Sequence, residues 1–140
     1  MNRLQIGYLM GLIVGEGSFT GDRKDPVLAI KLAEDDPQPL LDCQRFLGGK
    51  VYGPYRHAEK DGDKKSFIVW RLTGKPLVAA LPMLGKHLPP SRKRNQFDVW
   101  LVKYGLSRYV KDQLQLVWHV EHLKKCKETR GVTEQLRLIQ

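Results

Sequence analysis

The sequence predicts an α+β fold: an antiparallel sheet of two hairpins with helices packed on one face. Three observations point to it. Helical and hairpin patterns alternate along the chain in the order helix, hairpin, helix, hairpin, helices. The strand segments are joined by turn-rich pieces instead of crossover helices, which makes neighbouring strands antiparallel. In the clearest strands apolar residues take alternate positions, so one face meets the helices and the other stays open.

The first helix is expected over residues 4–15. Leu4, Ile6, Tyr8, Leu9, Leu12, Ile13 and Val14 are apolar nearly all round, the pattern of a buried helix. Gly7, Gly11 and Gly15 fall on one stripe of it. Each glycine costs such a helix roughly 0.5–1 kcal/mol relative to Ala, and the usual return is close approach of a second backbone. Glu16 stands at the tip, where a buried charge is costly unless it is paired or binds metal.

Residues 18–33 form a hairpin, with Asp22-Arg23-Lys24-Asp25-Pro26 as its turn. In its second strand Leu28, Ile30 and Leu32 face the core, leaving Val27, Ala29, Lys31 and Ala33 on the other face. Asp36 or Asp35 then caps a helix that runs to about Leu47 and stops at Gly48-Gly49. The second hairpin pairs residues 50–57 with 64–73, its inward residues being Ile68, Trp70 and Leu72. A helix over 75–88 follows, with Pro76 at its start and a kink near Pro82. Pro89-Pro90 breaks the chain before Ser91 caps a helix over about 92–104. Residues 108–127 read as a long amphipathic helix carrying Val110, Leu114, Val117, Trp118 and Leu123, and the tail from Thr129 as one short helix at most. Trp70, Trp100 and Trp118 read as core.

At 140 residues this is one domain, with a C-terminal helical extension from about residue 105, and it is large enough for a core without staples. The net charge of +9 favours a polyanionic partner. The excess is uneven: residues 1–91 hold 13 basic and 10 acidic side chains, residues 92–140 hold 11 and 5. Cys43 and Cys126 match no metal or redox spacing and read as free thiols of a reducing compartment. The apolar segment is too short for a membrane span, and no cleavage site of signal-peptide type follows it. No membrane partner is expected.

The stretch Leu9-Met10-Gly11-Leu12-Ile13-Val14-Gly15-Glu16-Gly17 resembles, without a gap, the motif of the LAGLIDADG homing endonucleases. Leu9, Gly11, Leu12, Ile13 and Gly17 match; Met10, Val14 and Gly15 depart from it at packing positions. With the order of elements, the resemblance covers roughly residues 4–104. It implies a saddle-like sheet resting in the major groove and site-specific double-strand cleavage of DNA. It also implies a divalent ion, Mg²⁺ or Mn²⁺/Ca²⁺ in the same place, held by Glu16 and the carbonyl of Gly15. There is one motif, so cutting both strands needs a homodimer, paired through Gly7, Leu9, Gly11, Leu12 and Gly15. An intracellular setting follows, cytoplasmic in a bacterium or phage host, or organellar.

Ser91 is followed by Arg92-Lys93-Arg94, and cations in the first turn oppose the helix dipole, so a bound anion is a plausible compensation. The resemblance implies a catalytic Lys at the opening of this helix. Lys93, four residues before Phe97, fits that position best, with Arg92 and Arg94 as close competitors. The family often has a polar residue such as Gln on the second strand to order water near the metal. Leu32 or Ala33 occupies that neighbourhood here, and the role does not carry over. DNA contacts are expected from Thr20, Arg23, Lys24, Lys31, Arg56, Lys64, Lys65 and Arg71, with Arg92 and Arg94 beside them. Lys124, Lys125, Lys127 and Arg130 form a basic end that either grips flanking DNA backbone or, the preferred reading, merely suits the helix C-terminus. His119 and His122 share a helical face, but no third metal ligand is evident. The alternatives are a non-cleaving relative that binds DNA or, like a maturase, RNA, and a protein that only dimerises through its glycine stripe.

Overall fold

The computed structural model describes residues 1–56, 65–110 and 115–127. Helix α1 (Arg3–Glu16) opens with a reciprocal cap. The Asn2 side chain accepts from the Gln5 N–H at 2.9 Å, and the Gln5 side chain accepts from the Asn2 N–H at 3.0 Å, satisfying two donors that a helix start leaves free. At its other end α1 passes without a loop into β1 (Gly17–Asp22). Only glycine fits that junction, because a Cβ on Gly17 would lie 2.5 Å from the carbonyl oxygen of Ile13.

A two-residue turn leads to β2 (Asp25–Ala33). Helix α2 (Gln38–Leu47) is followed by β3 (Lys50–Arg56) and β4 (Ser66–Leu72), then by α3 (Gly74–His87) and α4 (Arg92–Lys103). After a 3-10 turn at Ser107–Tyr109 comes α5, residues 115–127. The four strands form one antiparallel sheet in the order β1-β2-β4-β3. Leu28, Ile30, Ile68, Trp70 and Leu72 point from it into the core, as alternation predicts. There they meet Leu9 and Ile13 of α1, Leu40 and Cys43 of α2, Leu77, Leu81 and Leu84 of α3, and Phe97 and Leu101 of α4. Each large apolar side chain so buried contributes about 1.5–3 kcal/mol. Phe19 packs its ring 5.1 Å from Phe97 and 5.2 Å from Trp100, and the Trp100 indole donates to the Thr20 carbonyl at 2.7 Å, which fixes β1 against α4.

Several expectations are corrected. Helix α1 is not buried all round: Leu9, Met10 and Ile13 are inside, but Leu4 is 86% exposed and Tyr8 43%. Neither Asp35 nor Asp36 caps α2; Pro37 takes that position and no side chain caps it, while Gly48, at φ 85°, ends the helix as expected. The long final helix is broken, since Val110 is extended and the helix resumes within 115–127. Its buried residues are Leu116 and Val120, not Val117 and Trp118. Trp118 is 64% exposed and stacks on His122. Val27, expected on the open face, is only 3% exposed yet stands outside the main core cluster. Leu114 and the tail from Thr129 lie outside the described residues. Among the described residues no helix is long and apolar enough to cross a membrane.

Candidate active site and nucleic-acid interface

Two helix ends converge where α1 becomes β1. The C-terminus of α1 carries the negative end of its dipole and has no basic residue in its last turn. Its last carbonyls, that of Gly15 included, have no partner within the helix. Glu16 and Gly15 are exposed there, and among the described residues nothing forms a hydrogen bond or ion pair with the Glu16 carboxylate. Opposite, α4 begins with Arg92, Lys93 and Arg94, with no acidic residue in its first turn; its cap is Ser91, whose Oγ accepts from the Arg94 N–H at 3.1 Å. Lys93 reaches across and donates from Nζ to the carbonyl of Gly17 at 2.5 Å. The fold thus brings the motif acid and Lys93 to one place.

Arg94 is turned the other way. Its Nε lies 3.1 Å from Asp98 Oδ1, and its Nη1 donates to the Leu88 carbonyl at 2.8 Å. Asp98 is 5% exposed; burial pushes its carboxyl up from the ordinary range, and the charge and hydrogen bond of Arg94 pull it only part of the way back. His119 Nε2 stands 3.7 Å from the other Asp98 oxygen and 3.2 Å from Asn95 Oδ1. Arg94 therefore joins α4 to its neighbours, its guanidinium engaged by Asp98 and the Leu88 carbonyl, while Lys93 points to the end of α1. Part of the dipole penalty at this turn is met within the protein, because Lys93 and Arg94 both have protein partners, and the Lys93 ammonium keeps further donors beyond its bond to Gly17. Arg92 remains exposed, lining a cleft with Phe19, Thr20 and Gln96.

The sheet face away from the core is read off the register. One row across it is Ser18, Ala29, Arg71 and Lys50; the next is Lys31, Val69 and Tyr52; the last is Ala33, Phe67 and Tyr55. Thr20 lies on the same face beside Val27, and Arg23 and Lys24 form the exposed turn at that end. Lys31 holds its Nζ 3.9 Å above the Phe67 ring. Lys65 is exposed just before β4, while Lys64 lies outside the described residues, as does Arg130. Arg56 is a correction. A register shift between Tyr52 and Tyr55 puts it opposite Ser66, on the same side of the sheet as Ile68 and not on the open face. The sequence reading missed Lys50, Tyr52 and Tyr55. Val51, the inward residue between the first two, was the signal for Lys50 and Tyr52; the bulge at Gly53-Pro54 hid Tyr55.

On α1 the stripe of Gly7, Gly11 and Gly15 faces outward, and a Cβ built on any of them would meet nothing within 4 Å. Leu12 is half-buried beside it. Leu9 is corrected from an interface residue to a core residue, at 0% exposure, since it sits on the opposite side of the helix from the stripe. Among the described residues no group of three or more His, Cys, Asp or Glu is placed to hold a metal ion, His119 and His122 included. Cys43 and Cys126 are free, and burial pushes the Cys43 thiol up to about 12.

No protein-family model and no curated protein sequence matches the chain. Solved structures do. Meganuclease I-SmaMI bound to uncleaveable DNA is similar at a TM-score of 0.55 and 19% identity, covering 72% of this chain and 37% of that one. A lysine-to-alanine variant of I-SmaMI is similar at a TM-score of 0.53 and 18% identity, over 84% of this chain and 42% of that one. I-SmaMI bound to an uncleaved DNA target in the presence of calcium ions matches at a TM-score of 0.50 and 18% identity. The chain thus spans about two fifths of the length of the I-SmaMI chains it matches. I-SmaMI is a LAGLIDADG homing endonuclease, and this chain has the LAGLIDADG homing endonuclease fold.

Proposed function

We propose that the protein is a metal-dependent, site-specific DNA endonuclease that acts on both strands as a homodimer. The observation that carries this reading is the meeting of an exposed, unpaired Glu16 with Lys93 at the junction where α1 runs into the open sheet. One carboxylate and one helix-end carbonyl suit Mg²⁺ or a similar hard cation, which keeps several waters and takes substrate phosphate oxygens to complete its shell. A divalent ion bound there would supply a nucleophilic water and stabilisation of the leaving oxygen. Glu16 and the Gly15 carbonyl would hold it, and Lys93 would offset charge developing on the phosphate. The outward glycine stripe would pair with a second copy and set two such tips side by side. The cationic sheet face binds the duplex beside them, in keeping with the DNA-bound state of I-SmaMI.

The test is cleavage of a plasmid library carrying randomised inserts, in Mg²⁺ and in EDTA. The expected result is cutting only with the metal, and retained gel shift of the cut sequence without it. Cutting that persists in EDTA would overturn the mechanism. The second reading, a non-cleaving DNA- or RNA-binding relative, draws on the single acid per chain. Binding in Mg²⁺ with no cutting of any selected sequence would establish it in place of the first.

A further inference from the structure

The open sheet face is graded along its length. The row of Ser18, Ala29, Arg71 and Lys50 is polar and cationic, and the row of Ala33, Phe67 and Tyr55 is apolar. Val69 and Tyr52 lie between, beside Lys31. Tyr52 and Tyr55 are 41% and 45% exposed, and the Tyr55 and Phe67 rings lie 5.6 Å apart. Large apolar surface left in water on a basic face calls for a partner with apolar features of its own. In the major groove of a duplex the apolar feature is the thymine C5-methyl group. Adenine is read bidentately by Asn or Gln, and among the described residues this face carries neither.

We propose that the strip made by Ala33, Tyr52, Tyr55, Phe67 and Val69 recognises thymine methyl groups in the major groove of the bound duplex. Successive rows are two residues apart, about 6.6 Å, and base pairs rise about 3.4 Å. The methyl-reading strip therefore covers bases about two to four pairs from those reached by Arg71 and Lys50. Those two cations suit guanine. Lys31 holds its ammonium over the Phe67 ring, so Tyr52 and Tyr55 supply most of the exposed apolar surface of the strip. This inference rests on the DNA-binding reading above and adds which base one part of the half-site must contain. The competing use of exposed aromatic residues is stacking on unpaired bases.

The experiment starts from duplexes selected out of a randomised pool by the full-length wild-type protein. Each dT of a selected duplex is then replaced singly by dU, which removes only the methyl group. At one or more positions per half-site the replacement is expected to weaken binding about fourfold, the effect of one buried methyl. A dC carrying a 5-methyl group at the same position should bind better than plain dC. Tyr55→Ala, at an exposed site and checked for folding by circular dichroism, should lose part of the dT-over-dU preference while still shifting the duplex. The proposal is overturned if every dU is tolerated within twofold, or if single-stranded oligonucleotides displace the duplex. A protein that shifts no duplex at all would overturn the DNA-binding reading with it, whereas tight binding blind to the methyl group removes this inference alone.

Discussion

Lys93 donates from Nζ to the carbonyl of Gly17, the residue directly after Glu16. A cation from the start of α4 is thereby anchored beside the acid at the end of α1. It also faces a helix end whose dipole favours positive charge, which offsets its unfavourable place in the first turn of its own helix.

Lys93→Met is expected to slow single-turnover cutting about 10²–10³-fold, the usual loss for one preorganised electrostatic donor. Affinity for DNA should change little by comparison. If Lys93 served only to neutralise a phosphate, binding to every sequence would weaken instead and the salt slope would fall by about one. Rates at saturating enzyme separate the two.

Glu16→Gln should abolish cutting and leave specific binding nearly intact. The amide keeps the size of the side chain but not the charge that holds a cation, and the sheet face is untouched. Cleavage and gel shift on one target, wild type beside variant, give the answer. Cutting at the wild-type rate would show that Glu16 is no metal ligand.

Arg94→Met should cost stability, not catalysis. It leaves the buried Asp98 without its ion-pair partner, a loss of about 3 kcal/mol, read as a fall in Tm. Asp98 also sets a pH signature. Its folded pKa is raised above the ordinary 3.8, so its stabilising contribution is present below that pH and is lost as pH rises through the folded value. Asp98→Asn stays neutral throughout. Its Tm relative to wild type should therefore climb as pH rises above 3.8, measured by calorimetry across that window.

Gly11→Leu should fold, because a Cβ there meets nothing within 4 Å in the single chain. It should break pairing between copies, where overpacking a close contact costs about 1–3 kcal/mol. Sedimentation will show a monomer if this is right. A variant that keeps the wild-type mass and gains about 1 kcal/mol of helix stability would mean that the stripe packs against nothing.

Thiol labelling of the native protein at about pH 8 should modify one cysteine per chain. Cys126 is exposed, whereas Cys43 is fully buried with its thiol pushed up to about 12. Labelling of both without denaturant would contradict the packing of α2.

The strands were legible because Leu28, Ile30, Ile68, Trp70 and Leu72 alternate without interruption, and period two admits one face only. The end of α1 was legible because the apolar run closes at Glu16-Gly17, but the acid expected to be buried there is exposed. What stayed hidden depended on contacts between distant residues. Arg92, Lys93 and Arg94 are equivalent in sequence; Asp98 and the Leu88 carbonyl claim one of them and the Gly17 carbonyl another. Leu9 belongs to the recognised motif yet faces inward, since residues of one helix turn point to different sides. Arg56 was misplaced by a single bulge, which reverses every later side chain in β3. The exposed Trp118 shows that an apolar pattern of one helical face is ambiguous by a residue when a break precedes it.

Helix α1 ends at Glu16 and β1 begins at Gly17, with no intervening linker. The acid consequently sits on a rigid seam between the element that would meet a second copy and the surface that would lie on the duplex. In a paired enzyme the offset between the two nicks is then a ruler built into the scaffold. Drift in the sheet-face residues would change which sequence is cut but leave the overhang the same length, and altering that length would require rebuilding the helix pair itself.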